Sequence, residues 1–466
     1  MERTYIKDLG GKIGQEVEVN GWVDIRRDHG KLIFIDLRDM SGKVQTVVLP
    51  NHEEAHKIAE TLRSEWVVEV TGKVNKRPEK MVKTGVLNGE LELEVIGITV
   101  LNEAETPAFD LGTDGRDVNE DVRLKNRYID LRRERMQKNI RNRHKVILAT
   151  REYLDKEGFI EIETPLLTKS TPEGSRDYIV PSRIYQGQFY ALPQSPQQYK
   201  QLLMASGMEK YFQVARCMRD EDTRGDRQPE FTQLDMEMSF VKREDVMDLN
   251  ERLLIHVVKT LYPEKTIQEI PFPRLTYKEA MEKYGNDKPD IRKDKNDPNL
   301  LAFCWIIDFP FFEKTDEGGW TFTHNPFSAP KPEFMEDLLA KKNIGEILTT
   351  QYDVALNGFE IGGGSIRNHN PKALETVFEI MGHKTENIER NFGHMMKAFK
   401  TGTPPHGGIA WGFDRFMMLL ENEPNIREVI AFPKTGEGKD LMMNCPADVE
   451  PIQLKELGIS ITTKKK

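Results

Sequence analysis

The sequence contains no long apolar run. A membrane-crossing helix needs about 20 consecutive apolar residues. The most apolar window, LAFCWII at 301–307, is far shorter. Mean hydropathy is -0.58, and no membrane partner is expected. Cysteine is scarce: Cys217, Cys304 and Cys445 lie far apart and form no C-x-x-C pair. Neither a disulfide framework nor a cysteine zinc site is expected, and a reducing cytoplasm fits best. The opening MERTYIKDLGGKIG lacks a basic stretch followed by an apolar one, so no secretory signal is expected. There is no fixed-period repeat and no low-complexity tract. Neither G-x-G-x-x-G nor G-x-x-x-x-G-K-S/T occurs, so nucleotide phosphates, if bound, are not held by a P-loop. Positive charge is also not in excess. The net charge of -9 argues weakly against a nucleic-acid partner, although local patches can override the sum. The tail Lys464-Lys465-Lys466 carries no functional weight.

A chain of 466 residues predicts two to four domains at roughly 100–200 residues each. Residues 1–105 read as all-β. GQEVEVNGWVDI, KLIFIDLRD, KVQTVVLP, WVVEVTGKV and ELELEVIGITVL are Val- and Ile-rich runs broken by Gly, Asp and Ser. NHEEAHKIAETL at 51–62 is the one helical stretch, and it follows the third strand. Five strands with that helix are the pattern of an OB-fold barrel, which often binds single-stranded nucleic acid. Residues 106–132, with Pro, Gly and many charges, read as a hinge. Residues 133–466 then mix helices and strands, an α+β pattern. MQKNIRNRHKVILATREYLDKEG is a long helix closed by Gly158, and VMDLNERLLIHVVKTL has helical apolar spacing. QFYALP, YFQVARCMR, FTQLDMEMSFV, GFEIGGGSIR and GGIAWGFD are expected to form one large, mainly antiparallel sheet flanked by helices.

The segment 211–240 is the most informative. A strand delivers Arg219, a polar loop RDEDTRGDRQPE follows, and a second strand returns with Phe231, Gln233, Asp235 and Glu237. Strand alternation puts these last four on one face. A face of that composition is no ordinary core, because buried charge must be paired. The competing reading is a solvated hairpin with many salt bridges.

ARCMRDEDTRGDRQPEFTQLDME resembles motif two of the class II aminoacyl-tRNA synthetases, in its aspartyl form. GGIAWGFDRFMMLL at 407–420 resembles motif three, GFIEIETPLLTKSTPEGSRDY at 158–178 resembles motif one, and ALPQSPQQYKQLLM at 191–204 resembles the amino-acid-binding loop. Four separated motifs agree in order, and the resemblance covers nearly the whole chain. It implies ATP-dependent activation of L-aspartate and transfer to the 3′-end of tRNA-Asp. It also implies an OB-fold anticodon domain, Mg²⁺ and a homodimer built on motif one.

The resemblance assigns residues. Arg367, in GFEIGGGSIR, would hold the side-chain carboxylate of aspartate through a bidentate fork, with Lys200 in support. Asp235, Ser195, Gln197 and Glu173 would accept from the α-ammonium. Arg219 would hold the α-phosphate of ATP, and Arg415 the γ-phosphate end. Phe231 would stack on adenine and Glu221 would meet its amino edge, with Gln233 also on the nucleotide. Asp353 and Glu360, in YDVALNGFE, would bind Mg²⁺; the competing reading is two solvated acids around a turn. Adenylation is then mostly positioning and electrostatics, and no general base is named among the ten histidines. His324, in THNPFSAP, would lie near the aspartate. Bacterial aspartyl enzymes usually show two adjacent histidines there, and here the second is Asn325.

WVDIRRDHGKLIFIDLRD resembles the anticodon-binding face of the family. Phe34 matches a base-stacking aromatic, Gln45 a base-reading amide and Arg27 a phosphate or base contact. The alternative for Phe34 is a place in the barrel core. His29 stands in RDHG, a wording common in relatives that also charge tRNA-Asn, so relaxed reading of the third anticodon base is expected. The extra domain that bacterial aspartyl enzymes usually insert between motifs two and three is missing. RLTYKEAMEKYGNDKPDIR is followed, after KDKNDPN, directly by LLAFCWIIDFPFF. Rival readings are an asparaginyl- or lysyl-tRNA synthetase, a tRNA-free asparagine synthetase on the same fold, or an RNA-binding module with a decayed catalytic domain. SPQQYKQ and Arg367 oppose the first, the barrel the second, and the intact set Arg219, Glu360, Arg367 and Arg415 the third.

Overall fold

The computed structural model describes residues 1–170 and 173–462. Thr171 and Pro172 of the motif-one segment, and the lysines of the tail, lie outside the described residues. The chain forms two compact units, Met1–Gly112 and Thr113–Lys466.

The first unit is a closed barrel of β1 (Glu16–His29), β2 (Leu32–Asp39), β3 (Gly42–Val48), β4 (Val67–Lys76) and β5 (Leu91–Asn102), in the order β1-β2-β3-β5-β4. Alternation is strict along β2: Ile33, Ile35 and Leu37 point into the core, and Leu32, Phe34, Asp36 and Arg38 point outward. The helix Glu53–Thr61 between β3 and β4 adds Ala55 and Ala59 to that core.

The second unit is built on an eight-stranded sheet. Its strands are β6 (Ile160–Glu161), β9 (Lys210–Met218), β10 (Glu230–Ser239), β11 (Arg274–Thr276), β12 (Phe303–Ile307), β13 (Tyr352–Leu356), β14 (Phe359–Ile366) and β15 (His406–Gly412). The order is β11-β12-β13-β14-β15-β10-β9-β6. The six central strands are antiparallel, and each edge strand is parallel to its neighbour. One face packs on the helices Glu134–Lys156 and Arg243–Leu261 through a core that includes Leu234, Met236, Trp305, Tyr352 and Trp411. Two buried indoles are satisfied by the second helix: Trp411 donates to Asn250 Oδ1 at 2.8 Å and Trp305 to Glu251 Oε2 at 3.2 Å.

Two expectations need correction. QFYALP does not join the large sheet. Its strand β8 (Phe189–Ala191) pairs with β7 (Ile179–Pro181) in a separate hairpin, and Ala191 also bridges to Thr168. Strand propensity identifies a strand but not its partner. The charged run 106–132 is also not a hinge throughout, because residues from Thr113 onward belong to the second unit. They include the helices Glu120–Lys125 and Arg127–Asp130. Three of their charges are buried and paired: Arg123 donates to Glu428 Oε1 at 2.7 Å, and Arg127 to Asp130 Oδ2 at 2.7 Å. Composition reads a charge run as solvated. Here mutual pairing makes burial affordable.

Burial alone would raise the Glu428 carboxyl, but Arg123 and then Arg135 outweigh it and hold the group down at about 2. The depressed value means that this contribution is present above about pH 4.5 and is lost as pH falls toward about 2. Glu428→Gln should therefore cost about 3 kcal/mol near neutrality. Urea unfolding across the acid range should show the gap to the parent shrinking below about pH 4.5.

Candidate active site

The other face of the sheet floors a cavity of about 550 Å³. Three local features open it. On β10, Phe231, Gln233 and Asp235 line the cavity, while the alternate residues Leu234, Met236 and Met238 enter the core. Asn357 and Gly358, both with positive φ (50° and 90°), make the tight turn that joins β13 to β14 and brings Asp353 and Glu360 onto adjacent strands. A Cβ at Gly363 would come within 2.6 Å of Asp353 Oδ1, so only glycine leaves that carboxylate its room.

All the residues singled out in the second unit line this one cavity. At one end stand Glu173, Ser195, Gln197, Lys200, Asp235 and Arg367. Arg219, Glu221, Phe231, Gln233 and Arg415 also line it, as do His324, Asp353 and Glu360.

The first group is a buried charge network. Lys200 Nζ is 2.7 Å from Asp235 Oδ2 and 3.4 Å from Glu237 Oε2. Arg367 grips Glu237 with Nε (2.8 Å) and Nη2 (3.0 Å), and donates Nη1 to Ser365 Oγ at 2.9 Å. Burial would raise Glu237, but Arg367 and Lys200 hold it below the usual carboxylate range. Burial does raise Asp235, against the pull of Lys200. Among the described residues, the buried Asp235 Oδ1 has no hydrogen-bond partner. Glu173 accepts from Ser195 Oγ at 3.4 Å and from Gln198 Nε2 at 3.2 Å.

Arg219 follows β9 directly, with its guanidinium 5.2 Å from the centre of the Phe231 ring. Its Nε is buried and has no hydrogen-bond partner among the described residues. Arg415, in the helix Phe413–Leu420, donates to the Glu360 carbonyl at 3.0 Å and pairs with Asp226 at 3.2 Å. Glu221 accepts from Ser175 Oγ.

Asp353 is buried and accepts from Gln351 Nε2 at 2.7 Å, and it lies 3.0 Å from His324 Nε2. Burial disfavours protonation of His324, but Asp353 outweighs it and pushes the imidazole up to about 9. Burial and then the charge of Asp353 push Glu360 up. These two are not solvated acids. A pair of mutually repelling carboxylates in a cavity suits a divalent cation. Among the described residues, no group of three or more His, Cys, Asp or Glu could hold a metal ion. The remaining ligands of Mg²⁺ would have to be phosphate and water, as that ion prefers.

Asn325 has a structural task. Its Oδ1 accepts from the Phe327 amide at 3.0 Å and from Ser328 Oγ at 3.3 Å, and its Nδ2 donates to Gln351 at 3.3 Å. Glu237 and Gln351 were given no site role by sequence reasoning. Glu237 was on the right face of β10, and Gln351 stands two residues before Asp353, so alternation could have found both.

In the first unit, Phe34 is half-buried and lies outside the barrel core. It pairs in register with Arg27, and Gln45 with Asp36. Arg27 forms two hydrogen bonds to Asp36, at 2.9 and 2.7 Å. The His29 ring meets Phe34 edge-on, 5.6 Å between centroids. The outer face of β1, β2 and β3 thus brings the four residues onto one surface.

Residues 119–436 match the model for tRNA synthetases class II (D, K and N), and residues 17–101 match that for an OB-fold nucleic acid binding domain. The aspartate–tRNA ligase of Staphylococcus saprophyticus is 40% identical over 575 aligned positions, covering 96% of this chain and 97% of that one. That of Macrococcus caseolyticus is 40% identical over 576, covering 96% of each. Both alignments are longer than the 466 residues here, so those relatives carry residues that this chain lacks. Among solved structures, asparaginyl-tRNA synthetase from Pyrococcus horikoshii, complexed with asparaginyl-adenylate, superposes with TM-score 0.76 at 22% identity, over 97% of this chain and 100% of that one. Aspartyl-tRNA synthetase from Entamoeba histolytica gives 0.72 at 24%, over 93% and 91%. The chain belongs to the class II tRNA synthetases of the D, K and N group.

Proposed function

We propose that the protein is an aspartate–tRNA ligase that forms aspartyl-adenylate from L-aspartate and ATP and passes the aspartyl group to tRNA-Asp. The observation that carries this is the charge pattern at one end of the cavity. Arg367 and Lys200 supply fixed cations, and Asp235 Oδ1 is a buried acceptor with no hydrogen-bond partner among the described residues. A small dianion bearing one ammonium complements both. The amide of asparagine would instead turn donors toward Arg367 and Lys200. The names of the relatives at 40% identity support the same substrate.

In this reading Arg367 and Lys200 bind the side-chain carboxylate, and Asp235, Ser195, Gln197 and Glu173 bind the ammonium, with His324 close to the amino acid. Arg219 and Arg415 draw charge from opposite ends of a bent triphosphate. Phe231 stacks on the adenine, while Glu221 and Gln233 orient the nucleoside. Asp353 and Glu360 hold Mg²⁺, which would neutralise phosphate charge when bound. Catalysis is then electrostatic, through groups that are already oriented. Two copies of the chain form the working enzyme, in the cytoplasm. Among the described residues no helix is long and apolar enough to cross a membrane.

The outer barrel face, with Phe34, Gln45, Arg27 and His29, holds the anticodon. The edge-on contact of His29 with Phe34 couples the loop residue to the stacking ring, and it favours a relaxed enzyme that also charges tRNA-Asn. Charging labelled aspartate onto separate tRNA-Asp and tRNA-Asn transcripts tests the whole reading. Both should be charged. Phe34→Ala should weaken charging of either by about tenfold and leave pyrophosphate exchange unchanged. His29→Leu should reduce tRNA-Asn charging selectively. Charging of tRNA-Asp alone would discard the argument from His29, and charging of neither would discard aspartate.

A further inference from the structure

Gln201, in the helix Gln197–Ala205, is fully buried and does not line the cavity. Its amide is held from two sides. Gln197, one turn earlier, donates Nε2 to Gln201 Oε1 at 3.1 Å. On the other side, Gln201 Nε2 lies 3.2 Å from Nε2 of His406, which is also fully buried. His406 Nδ1 lies 2.8 Å from the Pro404 carbonyl.

Around a neutral ring, these contacts leave one consistent assignment of hydrogens. A carbonyl only accepts, so His406 Nδ1 carries the proton. Nε2 of the neutral ring is then an acceptor, and Gln201 must offer it an N–H. That turns Gln201 Oε1 toward Gln197, and Gln197 must give its NH₂ to that oxygen. The carbonyl oxygen of Gln197 remains for the cavity, which Gln197 lines. The ring stays neutral because burial pushes it down to about 4, despite Glu237, with Arg367 and His369 also disfavouring charge.

We propose that His406 and Gln201 are positioning residues that lock the Gln197 amide with its oxygen facing the pocket, so that the pocket offers the substrate's α-ammonium an acceptor and not a donor. A glutamine amide by itself has nearly the same shape with either end forward. If Gln197 were flipped, its NH₂ would face the ammonium and repulsion would replace attraction. Asp235, Ser195 and Glu173 would then remain as the acceptors, with a donor set against them. The relay thus decides the sign of one contact from a ring that never meets the substrate. The inference rests on the aspartate reading above.

The test is aspartate-dependent ATP–pyrophosphate exchange, with succinate as competing inhibitor. Succinate keeps both carboxylates and lacks the ammonium. Gln201→Met keeps the volume and removes both hydrogen bonds; it should raise KM for aspartate about tenfold, with kcat within about twofold. Inhibition by succinate should change less than about twofold, because its binding does not use the Gln197 oxygen. Gln201→Glu can still accept from Gln197 and should stay within about threefold of the parent. His406→Phe cuts the relay from the other end, beside Phe399 and His369, and should show the same split if Gln201→Met fails to fold. Unchanged KM in the folded variants, or equal weakening of aspartate and succinate, would overturn the proposal. A parent without aspartate-dependent exchange would instead overturn the aspartate reading itself.

Discussion

Arg219→Gln should slow aspartyl-adenylate formation by about 100- to 1000-fold and leave the melting temperature within about a degree of the parent. The two halves of this expectation have one cause. The Arg219 side chain is a half-buried cation on the cavity wall, and its Nε has no hydrogen-bond partner among the described residues. Its one described side-chain contact is the Phe231 ring, 5.2 Å away. A contact of that kind contributes about 0.5–1 kcal/mol, and glutamine retains some of the packing. The fold therefore loses little. The transition state loses a guanidinium already aimed at the place where phosphate charge accumulates. Pyrophosphate exchange at saturating ATP and aspartate reads the rate, and scanning calorimetry reads the stability. A melting point several degrees lower with a small rate loss would make Arg219 a structural residue and remove the anion from that end of the cavity.

That separation between fold and site also explains what could be read from the sequence. β10 was legible because Gln233, Asp235 and Glu237 put polar groups on every second residue, and alternation alone gathers them with Phe231 on one face. The barrel was legible because its strands alternate cleanly and its one helix stands in the third connection. Asp353 and Glu360 came from the resemblance, since their own spacing suggests only a solvated turn. Burial depends on what packs over the turn, and local sequence does not carry that. β8 looked like a sheet strand and pairs elsewhere, because pairing is a long-range choice. The run 113–132 looked like a linker because each charge was counted singly. Arg127 is paired with Asp130, and Arg123 with Glu428, more than 300 positions away. The His406–Gln201 relay was invisible for a further reason. Hydrogen assignment along two side-chain amides and a ring is a property of distances, and no spacing in the chain encodes it.

Arg367→Gln should do what Arg219→Gln does not, destabilising the protein by about 3–5 kcal/mol as well as abolishing activation of aspartate. Arg367 is 3% exposed and Glu237 is fully buried, and the two share two hydrogen bonds. Removing the guanidinium leaves the carboxylate with Lys200 at 3.4 Å, and Lys200 is already engaged at 2.7 Å by Asp235. The sign of the pH dependence follows. In the parent, Arg367 holds Glu237 below its ordinary value, so the pair stabilises above about pH 4.5 and that contribution is lost as pH falls. In the variant the burial of Glu237 is largely unopposed, and its carboxyl moves up instead. Protonation then relieves the variant at acid pH while it weakens the parent. Urea unfolding should therefore show a larger gap at pH 8 than at pH 5. A gap that is constant with pH would mean that Glu237 is not the group left uncompensated, and that the loss comes from packing around Ser365 and Tyr352. Lys200→Met separates the two roles of this cluster: it should impair aspartate binding while the Arg367–Glu237 pair, and most of the stability it confers, remains.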